Sequence, residues 1–171
     1  MGELNLNTNG KIHGHTEFQG RVTKSNHPYM LRSPNTSRTV PHNTHVLMQD
    51  FGTTRVNQGG IGYSTSDGKI TFPTTGLFRI NCKVNLINEG FLGNDHQFYP
   101  KKNGTDYPHS QLYYQSQPNI GAQRWYTPSY LDICIDIDNA NDYVQLYFYQ
   151  NSYNSETLHG SFGYLEVYLI G

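Results

Sequence analysis

Two histidines separated by one residue, His13 and His15 in "GKIHGHTEF", are the first side chains whose type and spacing could do chemistry. In an extended strand they point to one face. Three copies around a threefold axis would then offer six imidazole nitrogens to an iron or similar ion, a metal type that imidazole suits. The surrounding parity opposes this. Leu4, Leu6, Ile12, Phe18 and Val22 hold even positions, whereas Lys11, His13, His15, Glu17, Gln19 and Arg21 hold odd ones. If burial selects the face that meets the axis, the histidines look outward, unless the turn signal "NTNG" reverses the parity.

Other groups invite similar questions. In "PHNTH", His42 and His45 have a spacing that fits a turn, and no further ligand lies nearby, which favours a solvated loop. Asp132, Asp136, Asp138 and Asp142 form the densest acidic group. Brought together from three chains, Asp132 or Asp136 would suit a calcium ion. The competing account is a solvated strand face followed by a turn built from Asp138, Asn139, Asn141 and Asp142. Two segments, "INEGFLGNDHQFYPKKNGTDYPHS" and "QSQPNIGAQRWYTPS", carry Phe91, Tyr99, Tyr107, Arg124, Trp125 and Tyr126 among amides and charges. Rings that stack and amides that hydrogen-bond suit a glycan or protein surface. For Trp125 a place in a subunit interface is the alternative. No Ser-His-Asp set, paired acid/base carboxylates, phosphate-cradling glycine loop or zinc spacing can be picked out, so the expectation is a protein that is not an enzyme.

The elements that must position these groups are strands. The chain has 171 residues, enough for one sizeable core, with 14 Tyr, 8 Phe and 17 Gly and no Ala/Leu/Glu/Lys-rich run. Its net charge is −1 with 15% charged residues, so neither a nucleic-acid footprint nor an anionic-membrane footprint is visible. No apolar run is long enough to span a membrane, and "MGELNLNTNG" lacks the apolar stretch of a secretory signal. In "FRINCKVNL" the alternation turns Cys82 into a core, and in "YLDICIDID" it turns Cys134 to the opposite face with Asp132 and Asp136. Two unpaired thiols fit a reducing compartment. Residues 1–24 read as a β-patterned stalk or attachment segment. Residues 25–43, with three prolines, read as a connector with one short strand near Tyr29 to Arg32. From residue 44 to 171 about nine strands, beginning "THVLMQDF" and ending "FGYLEVYLI", predict an all-β sandwich or jelly roll.

Several motifs in order carry a family likeness. Asn57 is followed by Gly59 and Gly60, then by Tyr63, Gly68, Ile70-Thr71-Phe72-Pro73 and Gly76-Leu77-Phe78. Later come Asn141-Asp142-Tyr143-Val144-Gln145-Leu146 and a closing "SFGYLEVYLIG". Together these resemble the complement component 1q globular head, a relative of the tumour necrosis factor jelly roll, over roughly Tyr29 to Gly171. The closing motif is one residue tighter than the family's. The resemblance implies a homotrimer with ten strands per subunit and the C-terminal strand near the threefold axis. Secreted animal members carry a signal peptide and a stalk, and neither is seen here. Instead "GRVTKSNHPYML" looks like the approach to such a head in bacteriophage fibres. That implies a virion component assembled in the host cytoplasm, joined to other virion proteins through residues 1–24. Its head would attach to a host-surface glycan or protein by several weak contacts at once. A purely structural capsid or tail connector, or a secreted signalling ligand of the same fold, are the alternatives.

Overall fold

The alternation in "GLFRINCKVNLI" is realised as β7 (Gly76–Asn88), where Phe78, Ile80, Cys82 and Val84 are buried and Arg79, Asn81 and Lys83 face away. This computed structural model describes residues 27–88, 95–108, 112–115, 125–151 and 155–170. Its strands form two seven-stranded sheets, with every pairing antiparallel. No helix occurs among the described residues.

Sheet I is built on β7. Its long partner is β11 (Trp125–Ile137), which buries Leu131, Ile135 and Ile137 and exposes Asp132, Cys134 and Asp136, the faces expected from the sequence. On the other side of β7 lies β14 (Tyr164–Leu169), then β1 (Tyr29–Ser33), then β4 (Thr53–Gln58). The far end of β7 also pairs with β13 (Glu156–Leu158), which carries β2 (Arg38–Val40) at the edge. The described part of the 25–43 stretch is thus built into the sheet. Met30 and Val40 are fully buried there, and each large apolar side chain so placed contributes about 1.5–3 kcal/mol.

Sheet II centres on β12 (Tyr143–Gln150), flanked on one side by β8 (Asp95–Lys102) and on the other by β3 (Thr44–Leu47) and β6 (Lys69–Thr71). The short β5 (Gly62–Tyr63), β9 (Thr105–Asp106) and β10 (Leu112–Gln115) complete it. Along β12 the inward residues are Val144, Leu146, Phe148 and Gln150, and the outward ones are Tyr143, Gln145, Tyr147 and Tyr149.

Turn chemistry fixes the registers. Between β8 and β9 only Asn103 and Gly104 intervene, with φ of 52° and 81°. This is the two-residue hairpin for which Asn-Gly is the strongest short signal, because both residues must take positive φ. Gly68, read as a hairpin glycine, has φ 65°, and a Cβ there would come within 2.7 Å of the Met48 carbonyl oxygen.

The core changes character along the strands. One end holds Ile70, Phe72, Phe78, Ile137 and Val144, with the Phe72 and Phe78 rings 4.7 Å apart. The other holds buried His96, Ser129, Gln150 and Glu156. Cys82 is buried, which pushes its thiol pKa up, and Cys134 is exposed; both are free.

Candidate binding site

The Asn103-Gly104 hairpin sets Asp106 opposite Lys101. Lys101 Nζ and Asp106 Oδ1 are 3.1 Å apart, and the same ammonium lies 5.1 Å from the centre of the Tyr147 ring. Tyr147 is paired directly with Tyr99 across β12 and β8, so alternation puts both rings on the outer face of sheet II. His45 stands on β3, on the other side of β12, and its ring reaches across. Centroid separations are 4.8 Å to Tyr99 and 4.7 Å to Tyr149. His45, Tyr99, Lys101, Asp106 and Tyr147 together line an open pocket of about 480 Å³, within the ordinary size range for small-ligand sites of about 300–1,000 Å³.

Hydrogen bonds at its rim hold the rings. Tyr149 Oη donates to Asn43 Oδ1 at 2.5 Å, and Tyr99 Oη donates to Gln97 Oε1. Asn43 itself sits at φ 54° in the turn before β3. Chemically the pocket joins π faces to one carboxylate acceptor and one ammonium donor of opposite charge, both reached by solvent.

The outer face of sheet I is different. Across β4, β1 and β14, Val56 and Leu31 are paired, and Tyr29 pairs with Tyr168 at 6.5 Å between rings. Tyr130 is 47% exposed and Val56 41%. Glu166 lies at the middle of this face. It accepts from Tyr29 Oη and Asn81 Nδ2, both at 3.0 Å. Burial, then the Glu166 carboxylate, raises the Tyr29 pKa.

Of the side chains singled out in the sequence, Tyr99 lines the pocket. Tyr107 follows Asp106 and is half-buried against the core. Trp125 and Tyr126 open β11 on sheet I, in register with Asn88 and Ile87. Phe91, Arg124, His13 and His15 lie outside the described residues. His45 is exposed, as expected, but sits on β3 within the strand read from "THVLMQDF" and not in a loop, because Val46 beside it is drawn into the core and fixes the alternation. Lys101, Asp106 and Tyr147 were not foreseen as site residues. Period-two reading of "YVQLYFYQ" and "QFYPKK" gives the face of Tyr147 and Lys101, but their meeting with Asp106 depends on register.

Three of the four aspartate side chains are engaged within the chain, and Asp136 accepts from Lys102 through its backbone carbonyl. Asp132 receives both Nε and Nη2 of Arg79, at 2.7 and 2.5 Å, which holds its carboxyl pKa down. Lys102 Nζ reaches Asp138 Oδ2 at 2.5 Å and Asp142 Oδ2 at 3.2 Å. Asp142 also accepts from the backbone N–H groups of Asp138 and Asn139, closing the turn that the sequence suggested. Among the described residues, no three or more His, Cys, Asp or Glu side chains gather as a metal site. One acid-histidine-serine contact does exist that the sequence did not reveal. Ser129 Oγ is 3.3 Å from His96 Nδ1, and His96 Nε2 is 3.3 Å from Glu156 Oε2. Ser129 and His96 are each 1% exposed and Glu156 5%. A nucleophile must meet its substrate, and at these exposures the cluster is packing within the core.

No family model matches the chain, and no curated protein does. Among solved structures, that of Eiger TNF from S. frugiperda is similar, with a TM-score of 0.53. The match covers 85% of this chain and 93% of that one, at 8% identity. The fold is therefore a jelly roll of the tumour necrosis factor type, as the ordered motifs implied. At that identity the likeness extends to the fold alone.

Proposed function

We propose that the chain is a homotrimeric, non-enzymatic fibre or head-decoration component of a phage particle, and that its jelly-roll head attaches the particle to a host surface. The observation that carries this reading is the contrast between the two outer faces. Sheet I presents Tyr29, Leu31, Val56, Tyr130 and Tyr168, a set suited to burial between copies of the chain. Sheet II presents a pocket whose rings and paired charges suit an external ligand. Three such pockets on one trimer would raise avidity without any strong single site. The "GRVTKSNHPYML" approach supports a fibre context, and the two free thiols suit assembly in a host cytoplasm.

The test has two parts. Light scattering of the purified chain should give three times the chain mass, falling to one with Leu31→Asp on sheet I. Labelled trimer should bind cells across a panel of bacteria, and lose that binding with Tyr147→Ala while the trimer mass holds. A monomeric wild-type chain overturns the trimer. A trimer that binds no cell in the panel favours a purely structural decoration protein over attachment.

A further inference from the structure

Resting on the attachment reading, we infer that the pocket on the outer face of sheet II holds one neutral pyranose residue of a host-surface glycan. Sugar rings have an apolar C–H face and a rim of hydroxyls, each both donor and acceptor. Tyr99, Tyr147 and His45 supply the aromatic surface for the first. The Lys101–Asp106 pair supplies the second: a carboxylate accepts two vicinal hydroxyl protons, and an ammonium donates to hydroxyl oxygens.

Charge selects among ligand classes. Lys101 and Asp106 neutralise one another at 3.1 Å. A uronate or phosphate would have to compete with Asp106 for Lys101 and would leave the Asp106 carboxylate facing a like charge. A purely aliphatic ligand would strip water from both charges without replacing its hydrogen bonds. A polyhydroxylated neutral ring avoids both costs. The site is also organised before binding. Asp106 is set by the two-residue hairpin, and the Tyr149 hydroxyl is tied to Asn43 at the rim.

Saturation-transfer NMR on the full-length protein tests this with three probes: methyl β-D-glucopyranoside, methyl β-D-galactopyranoside and methyl α-D-mannopyranoside. Methyl glucuronate and N-acetylneuraminate serve as charged comparators. At least one neutral hexoside should receive transfer on its ring C–H protons and saturate in the millimolar range. Tyr147→Ala and Asp106→Asn, with trimer mass and melting temperature checked, should each weaken it about tenfold or more. Transfer to the charged sugars alone, transfer to none of the three hexosides, or transfer unaffected by both variants overturns the inference. Cell binding measured in parallel separates the two readings. Cells bound equally by wild type and Tyr147→Ala, with no competition by the hexosides, sink the sugar and leave attachment. Hexoside transfer by a protein that binds no cell sinks attachment and leaves the sugar.

Discussion

The two ends of the sandwich are held by different physics. At one end Phe72, Phe78, Ile70, Ile137 and Val144 fill the space between the sheets with carbon. At the other, the same strands place His96, Ser129, Gln150 and Glu156 between them. Apolar burial is tolerant of detail, since any well-shaped side chain gains from leaving water. A dry polar cluster is not, because each donor and acceptor must meet a partner or lose its hydration uncompensated. Gln150 Nε2 donates to the Val40 carbonyl oxygen at 3.0 Å, and Ser129 Oγ lies 3.3 Å from His96 Nδ1. The apolar end should therefore answer to lost volume, and the polar end to lost partners.

The contrast predicts unequal mutational costs. Phe78→Ala should be the most damaging change, at about 3–5 kcal/mol, since the side chain is fully buried against Phe72 in a site that cannot collapse. Urea denaturation at fixed protein concentration measures this. A loss below about 1 kcal/mol would mean that this end is loosely packed.

The polar end should respond differently to one change than to two. His96 Nε2 and Glu156 Oε2 are 3.3 Å apart without hydrogen-bond geometry, two polar groups meeting in a dry site. Glu156→Ala removes one partner and should cost about 1–3 kcal/mol, because His96 is left in a dry site without its polar neighbour. Replacing both, as His96→Leu with Glu156→Met, should return stability to within about 1 kcal/mol of wild type or better. Additive losses in the double variant would show that the two side chains act independently, and the polar end would then be no different in kind from the apolar one.

How far the sequence could be read follows the same division. Alternation in "GLFRINCKVNLI", "SYLDICIDID" and "DYVQLYFYQN" was legible because a strand buried on one face writes its apolar row directly into the order of residues. The strand near Tyr29 to Arg32 and the hairpin glycine at 68 were legible for similarly local reasons. Strands β2, β5, β9 and β13, each two or three residues long, are too short to show a period. The pocket was legible only at Tyr99. Its other members lie on β3, β8, β9 and β12 and meet through cross-strand register, which no local pattern encodes. Ser129, His96 and Glu156 are joined in the same way from β11, β8 and β13.

Closer to the pocket, the comparison can be sharpened at the hairpin. Gly104 has φ 81°, and a Cβ there would meet only the Tyr143 hydroxyl at 3.8 Å, so Gly104→Ala adds backbone strain rather than a clash. The expected loss is about 1 kcal/mol of stability. Since the hairpin sets Asp106 against Lys101, the larger consequence should be weaker hexoside binding, read by the same NMR titration. Unchanged binding in a destabilised variant would separate the turn from the site.

The apolar end is closed by a charged turn whose contribution should be present at neutral pH and fade in acid. The Asn103 amide at 2.8 Å is the strongest influence on the Asp142 carboxyl. With Lys102 and the Asp138 and Asn139 N–H groups it brings the pKa down to about 2. An unfolded aspartate titrates near about 3.9. Because the folded value is the lower one, the unfolded chain takes up this proton first as pH falls. The stabilisation is therefore complete above about pH 4 and is lost progressively down to about pH 2. Asp142→Asn cannot titrate and sets an amide where four donors converge, so it should be less stable than wild type at neutral pH. Its melting temperature should also fall less steeply between about pH 4 and pH 2, and the two curves should converge at the acid limit. Parallel curves across that window would mean that the turn holds its shape through the Asn103 and backbone contacts alone, with the Asp142 charge contributing nothing.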